Sequence, residues 1–255
     1  MRNAFPAPSG EWCLFLDVDG TLVEIANTPS AVAVDPALTE LVGAVARRLD
    51  GALALVSGRN IATIDELFAP LLLPAAGQHG AERRNASGVL SVFSPDPDVP
   101  LESARASLRA FVESHPGTLF EDKGHTLAVH YRLAPEFEAG VRRAVAAASA
   151  RLEPRYEVQA GKRVFEIKPR GFTKATAAEA FMKERPFAGR TPVFVGDDLT
   201  DEPGLRFAER AGGVSIAVGD RLRGQWRLDG PQEVRRWLGT IADLPAAARV
   251  PQSRS

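Results

Sequence analysis

Asp17 and Asp19 stand in the run Leu16-Asp17-Val18-Asp19-Gly20-Thr21, at the end of an apolar stretch that begins at Trp12. Residues two apart in an extended chain share a face. The two carboxylates therefore project together from the carboxyl end of a buried strand, where open parallel sheets place their ligands. Side by side they repel, and burial without a partner is costly, so a cationic partner is expected. Gly20 suits a sharp turn that exposes backbone N–H groups to an anion. An Asp-Gly pair alone also marks ordinary turns, so the pattern needs company.

That company comes at Gly196-Asp197-Asp198-Leu199-Thr200-Asp201-Glu202, which follows the apolar run Thr191–Val195. Four acids so close together at a second strand end suit a hard cation such as Mg²⁺, which takes oxygen ligands and shares them with phosphate and water. Capping of the next helix by Thr200 or Asp201 accounts for part of the cluster. It does not account for Asp197 and Asp198. A third strand, Ala52–Val56, ends in Ser57-Gly58-Arg59: a hydroxyl, a flexible backbone and a helix N-terminus that favours anions. Lys174 opens a later helix, where its charge opposes the dipole unless an anion is near. Singly, Ser57 and Lys174 read as a cap and a solvated side chain; together with two acidic strand ends they read as a phosphate site.

The elements that must position these groups alternate. Asp35-Pro36 starts a helix with Leu38, Leu41, Val42, Val45 and Leu49 on one stripe. After strand Ala52–Val56 come a helix Asn60–Phe68 and a strand Leu71–Ala76. The same grammar returns with a helix Lys174–Lys183, a strand Thr191–Val195, a helix near Glu202–Glu209 and a strand Gly213–Val218. Such repetition predicts a parallel sheet covered by helices. Between the halves, Ser94-Pro95-Asp96-Pro97-Asp98-Val99-Pro100 reads as a linker. It leads to a twice-repeated helix–strand–strand order ending at Pro169-Arg170-Gly171, an inserted open-faced sandwich of roughly 70 residues. The expected domains are a core of 1–97 and 171–255 and an insertion of 98–170.

Parity inside the insertion puts Lys162, Val164, Glu166 and Lys168 on one face of a strand and Arg163, Phe165 and Ile167 on the other. His130 and Arg132 oppose Val129 and Tyr131, and Glu121 and Lys123 share a side. One face is apolar and one carries mixed charge, which fits either a plain solvated sheet or a surface that exchanges hydrogen bonds with sugar hydroxyls.

Composition narrows the classes. The 31 basic and 32 acidic side chains nearly cancel, which leaves no electrostatic footprint for duplex nucleic acid or an anionic bilayer. A single cysteine, Cys13, cannot make an internal disulfide, which suits a reducing compartment. No stretch reaches the roughly 18–20 apolar residues of a spanning helix, and the first apolar run is too short for a signal-peptide core. The tail from Pro245 to Ser255 is expected to be loose.

In their order, Asp17-Val18-Asp19-Gly20-Thr21, Ser57-Gly58, Lys174 and Gly196-Asp197-Asp198 to Glu202 resemble the four signatures of haloacid dehalogenase-like (HAD) phosphatases. Gly80-Ala81-Glu82-Arg83, Glu121-Asp122-Lys123-Gly124, Val129-His130-Tyr131-Arg132 and Gly161-Lys162 through Pro169 bring the resemblance closer, to trehalose-6-phosphate phosphatases. It covers about residues 12 to 240. The resemblance implies an α/β fold: a doubly wound, Rossmann-like parallel core with the insertion as cap. It implies Mg²⁺-dependent hydrolysis of trehalose 6-phosphate through an aspartyl-phosphate. Asp17 would be the nucleophile and Asp19 the acid and base. The ion would be held by Asp17, the Asp19 carbonyl and Asp197, with Asp198 or Asp201 holding waters or a neighbouring ligand. Phosphate would be held by Gly20, Thr21, Ser57, Gly58 and Lys174; Arg59 is either a further contact or a helix-surface residue. In the cap, Glu121, Lys123, Arg132, Lys162 and Glu166 would contact the sugar; His130 would join them or be a packed histidine. A monomer in the cytoplasm is expected, with a small-molecule substrate and neither nucleic acid nor membrane as partner. The alternative keeps the chemistry and changes the substrate to a sucrose, mannosyl or glucosyl phosphate. A non-enzymatic phospho-acceptor lacks reason for a second Asp two residues on and for a cap, and a sugar-phosphate-binding pseudoenzyme would not need all these acids.

Overall fold

A computed structural model of the chain describes residues 5–93 and 100–245. Its larger sheet starts with β1 (Trp12–Leu16), buried on both faces. On one side lie β2 (Leu53–Val56) and β3 (Ala75–Gly77), reached through helices α1 (Pro36–Arg48) and α2 (Ile61–Phe68). Both helices are capped by the side chain before them. Asp35 accepts from the Leu38 N–H at 2.9 Å, and Asn60 from the Thr63 N–H at 2.8 Å. Beyond β3 the sheet turns antiparallel through β4 (Glu82–Arg84) and β5 (Leu90–Val92).

Next in the chain come the elements of the second sheet: α3 (Leu101–Glu113), β6 (Leu119–Asp122), β7 (Leu127–His130), α4 (Glu138–Ala150), β8 (Tyr156–Gly161) and β9 (Val164–Pro169). The strands pair antiparallel in the order β6-β7-β9-β8. Leu127, Val129, Phe165 and Ile167 pack with Leu108, Val141 and Val145 of the helices in a core of their own. The opposite parity of β7 and β9 faces the large sheet.

After this excursion α5 (Lys174–Phe181) leads to β10 (Thr191–Gly196), α6 (Glu202–Arg210), β11 (Val214–Val218), β12 (Trp226–Leu228) and α7 (Pro231–Ala242). These strands extend the large sheet on the other side of β1, giving the order β12-β11-β10-β1-β2-β3-β4-β5. The chain winds outward from β1 in both directions, so the β1–β10 boundary is a topological switch point, where a crevice opens at the strand ends.

The doubly wound core and inserted sandwich are as the sequence predicts, with differences at particular elements. The third strand is Ala75–Gly77 rather than Leu71–Ala76. The hairpin β4–β5 and the final β12–α7 unit carry no expectation. β4 and β5 are three residues each and β5 is exposed, so neither has the apolar run of a buried strand. α7 does carry a helical stripe, Val234, Trp237, Leu238 and Ile241, all buried. The proline-rich linker up to Val99 and the tail after Pro245 lie outside the described residues. No helix among those described is long and apolar enough to cross a membrane.

Candidate active site

Asp17 follows β1, and its N–H donates to the Val195 carbonyl of β10 at 3.0 Å, fixing it at the switch point. Its carboxylate is buried and takes Lys174 Nζ on Oδ1 at 2.5 Å and the Thr21 hydroxyl on Oδ2 at 3.0 Å. Lys174, the first residue of α5 and itself buried, reaches Asp201 Oδ1 at 2.7 Å. The other Asp201 oxygen accepts from the Asp197 and Asp198 N–H groups at 3.2 and 3.1 Å, clasping the loop after β10. Carboxylate oxygens of Asp17, Asp197 and Asp201 lie within 4.8 Å of one another, all buried.

Three carboxylates around one ammonium are out of balance. Burial, then the neighbouring acids, push the Asp17 and Asp197 carboxyls well above their ordinary range; Asp201 is raised by burial first, with Lys174 opposing. Lys174 is held charged: burial works against its charge, and Asp17 and Asp201 outweigh that. Asp197 Oδ1 is buried with no hydrogen-bond partner. Gly20, at φ +85°, passes so close that a Cβ there would stand 2.2 Å from Asp197 Oδ2. Only glycine combines that positive φ with the missing side chain. An orphaned carboxylate oxygen, a hard-oxygen donor set and a glycine that makes room for it fit a divalent cation such as Mg²⁺.

Asp19 and Arg59 are joined more firmly than their sequence suggests. The Arg59 guanidinium forks onto the Asp19 carboxylate, Nε at 2.7 Å and Nη2 at 2.8 Å, and its Nη1 donates to the Pro29 carbonyl at 3.1 Å. A two-pronged, charge-assisted pair of this kind fixes both partners in orientation. Arg59 is 9% exposed, so it is not a helix-surface residue. Ser57 Oγ accepts from the Arg59 N–H at 3.2 Å and faces the same cleft as Gly58 and Lys174.

One expectation is corrected here. The Gly20 and Thr21 amides do not face an anion: Gly20 N–H donates to the Val23 carbonyl at 2.8 Å and Thr21 N–H to that of Val18 at 3.3 Å. The loop closes on itself, and Thr21 serves the Asp17 carboxylate instead. Asp198 stands apart from the three clustered acids, its carboxylate paired with Arg221, because the short 3₁₀ turn Leu199–Asp201 swings Asp201, not Asp198, back toward Lys174.

The mixed-charge face of the second sheet closes the other side of this cleft. Glu121, Lys123, His130, Arg132, Lys162 and Glu166 all line it, as do Asp17, Asp19, Ser57, Gly58, Arg59, Lys174, Asp197, Asp198 and Asp201. Lys123 Nζ donates to Glu166 Oε1 at 2.5 Å and stands 3.7 Å from Glu121. His130 Nε2 lies 2.7 Å from Glu121 Oε2, so His130 is a partner in the network. Arg132 donates to the Lys162 carbonyl at 2.9 Å. Burial alone would raise the Glu166 carboxyl; Lys123 first, then His79, overcome it and hold the group well below its usual range. Lys168, on the same strand parity, turns instead to Glu157 at 2.8 Å.

Sequence reasoning missed His79 and the loop of Ile25, Ala26, Asn27, Thr28 and Pro29, all in the cleft wall. His79 follows β3, so the strand-end rule that nominated Asp17, Ser57 and Asp197 reaches it too. The loop carries no charged residue, and nothing in its sequence marks it.

A family model described as trehalose-phosphatase matches residues 15–234. The chain is 41% identical over 237 residues to the trehalose-6-phosphate phosphatase of Escherichia coli (strain K12), covering 92% of this chain and 88% of that one. Its fold superposes on the C-terminal domain of Candida albicans trehalose-6-phosphate phosphatase with a TM-score of 0.81 at 20% identity, covering 91% and 92% of the two chains. A haloacid dehalogenase-like hydrolase from Bacteroides thetaiotaomicron shares the fold at a TM-score of 0.61 and 17% identity, covering 90% and 98%. The architecture is thus HAD-like, and the chain belongs to the trehalose-phosphatase family.

Proposed function

We propose that the protein hydrolyses trehalose 6-phosphate to trehalose and phosphate, with residues 1–97 and 171–255 as catalytic core and 98–170 as cap. The observation that carries this reading is one cleft with two unlike walls: an acid-rich centre suited to phosphoryl transfer and a mixed-charge sheet face suited to hydroxyls.

Asp17 attacks phosphorus, forming an aspartyl-phosphate as the bond to the sugar oxygen breaks; covalent catalysis divides one slow displacement into two steps. Asp19 gives its proton to the departing sugar oxygen. It then takes a proton from the water that attacks phosphorus, releasing phosphate and restoring Asp17. Both Asp19 oxygens are held by Arg59, so proton transfer requires Arg59 to release at least one. A bound phosphate offers the guanidinium another partner. Ser57, the Gly58 amide and Lys174 orient the phosphate oxygens. Thr21 and Lys174 fix the attacking carboxylate. The carboxylates of Asp17, Asp197 and Asp201, with the Asp19 carbonyl, would hold Mg²⁺. When bound, that ion offsets repulsion between carboxylate and phosphate and stabilises charge in the transition state.

On the cap side, carboxylates of Glu121 and Glu166 accept from sugar hydroxyls while Lys123, Lys162 and Arg132 donate to them. The protein acts as a monomer in the cytoplasm on this reading, where its one cysteine, Cys13, stays a buried free thiol. Steady-state kinetics on a panel of sugar phosphates tests the reading. Trehalose 6-phosphate should exceed sucrose, mannosyl and glucosyl phosphates in kcat/KM by about a hundredfold. A higher value for any of these reassigns the substrate.

A further inference from the structure

His79 reaches across the cleft from core to cap by a hydrogen bond: its Nε2 lies 2.7 Å from Glu166 Oε2. Both side chains are almost wholly buried. His79 follows β3 in a tight turn in which Gln78 and His79 both take positive φ, +47° and +60°. Non-glycine residues adopt that conformation at a cost, and such strain gathers where a side chain must be aimed. The ring lies against Gly58, where a Cβ would fall 3.0 Å from its Cε1 and Nε2. It is thus wedged between the backbone of the phosphate site and the carboxylate of the cap.

Burial disfavours the imidazolium more than Glu166 supports it, so the ring is held toward its neutral form. A neutral ring donates through one nitrogen, and with Glu166 as acceptor that nitrogen is Nε2. His79 Nδ1 is buried without a partner, so the contact with Glu166 is the ring's one polar bond. The other Glu166 oxygen is taken by Lys123. A carboxylate has about four lone-pair sites, so sites remain for hydroxyls while the group is fixed from both domains.

We propose that His79 is a positioning residue: its hydrogen bond to Glu166 sets the cap in register with the phosphate centre and aims that carboxylate at the sugar. This rests on the sugar-phosphate reading of the cleft. A substrate bearing only phosphate uses the core wall alone and draws little from this bond, whereas a sugar phosphate must engage both walls at once.

The test compares kinetics with trehalose 6-phosphate and p-nitrophenyl phosphate in the parent enzyme, His79→Asn, His79→Gln, Glu166→Gln and the His79→Asn/Glu166→Gln pair. Asparagine suits a positive φ but its amide stops short of Glu166; glutamine reaches farther and can present an N–H near the original nitrogen. A lost hydrogen bond to a charged group predicts a roughly tenfold to hundredfold rise in KM for the sugar phosphate with His79→Asn. The selectivity ratio over p-nitrophenyl phosphate should fall by a similar factor, and His79→Gln should recover most of it. The double variant should lose no more than about threefold beyond Glu166→Gln, because one bond cannot be lost twice. Equal losses on both substrates, no recovery with glutamine, or additive losses overturn the proposal. Should Glu166→Gln lose selectivity while His79→Asn keeps it, the positioning role fails and the substrate reading stands. Should the parent enzyme prefer another sugar phosphate, that reading fails, and the same ratios measured with the preferred ester decide His79.

Discussion

The two walls of the cleft both carry charge, yet their electrostatics run in opposite directions. In the core, Asp17, Asp197 and Asp201 share Lys174, and their carboxyls are raised. In the cap, Glu121 and Glu166 share Lys123, each also has a histidine, and their carboxyls are lowered. The core wall is short of positive charge, which prepares it for a cation and a reacting phosphate. In the cap wall both glutamates are paired, Glu166 in part with His79 of the core, and their spare lone pairs with the N–H groups of Arg132 and Lys162 are what neutral hydroxyls require. On the proposed reading, unmet acidity accompanies the chemistry and paired acids accompany recognition.

The largest effect should come from breaking the core wall at its centre. Asp17→Asn keeps the shape and removes the nucleophile, so kcat should fall by at least ~10⁴-fold, with circular dichroism unchanged. Near-normal phosphate release by that variant removes the mechanism. Asp197→Asn should separate function from stability. Turnover is lost, while the metal-free protein gains about 1 kcal/mol, because repulsion at a buried, unpartnered carboxylate is relieved. Urea unfolding after chelation measures it. Loss of stability would mean that the core acids are balanced after all.

The same operation on the cap should have the opposite sign. Lys123→Met strips the buried Glu166 of its ammonium and should cost roughly 3 kcal/mol of stability, with KM for the sugar phosphate rising. Unchanged stability would show that the cap charges are screened. The smallest effect concerns pH. Glu166 is lowered in the folded state, so its contribution is complete above its ordinary value of 4.5 and is lost as pH falls through its folded value. The difference in melting temperature between the parent and Glu166→Gln should therefore shrink below about pH 4.5. Raised core acids act with the reverse sign in metal-free protein, binding protons more tightly when folded, so their penalty eases as pH falls.

The core wall is more legible in the sequence than the cap. Asp17, Ser57 and Asp197 each follow an apolar strand, and one topological rule brings strand ends together. Parity places Glu166 and Val164 opposite Phe165 and Ile167 correctly, since a strand has only two faces. Turns defeat both rules. Which of Asp198 and Asp201 meets Lys174 is decided by a single 3₁₀ turn, and the fork of Arg59 on Asp19 joins residues forty apart. His79 is hidden because its role depends on a partner in another domain, 87 residues away.

The central claim, that Asp17 takes the phosphoryl group before water does, is tested most directly by the stereochemical course at phosphorus. An isotopically chiral phosphorothioate ester hydrolysed in heavy-oxygen water should give thiophosphate with configuration retained, since two successive in-line displacements each invert it. Net inversion would show direct attack by water and contradict the account.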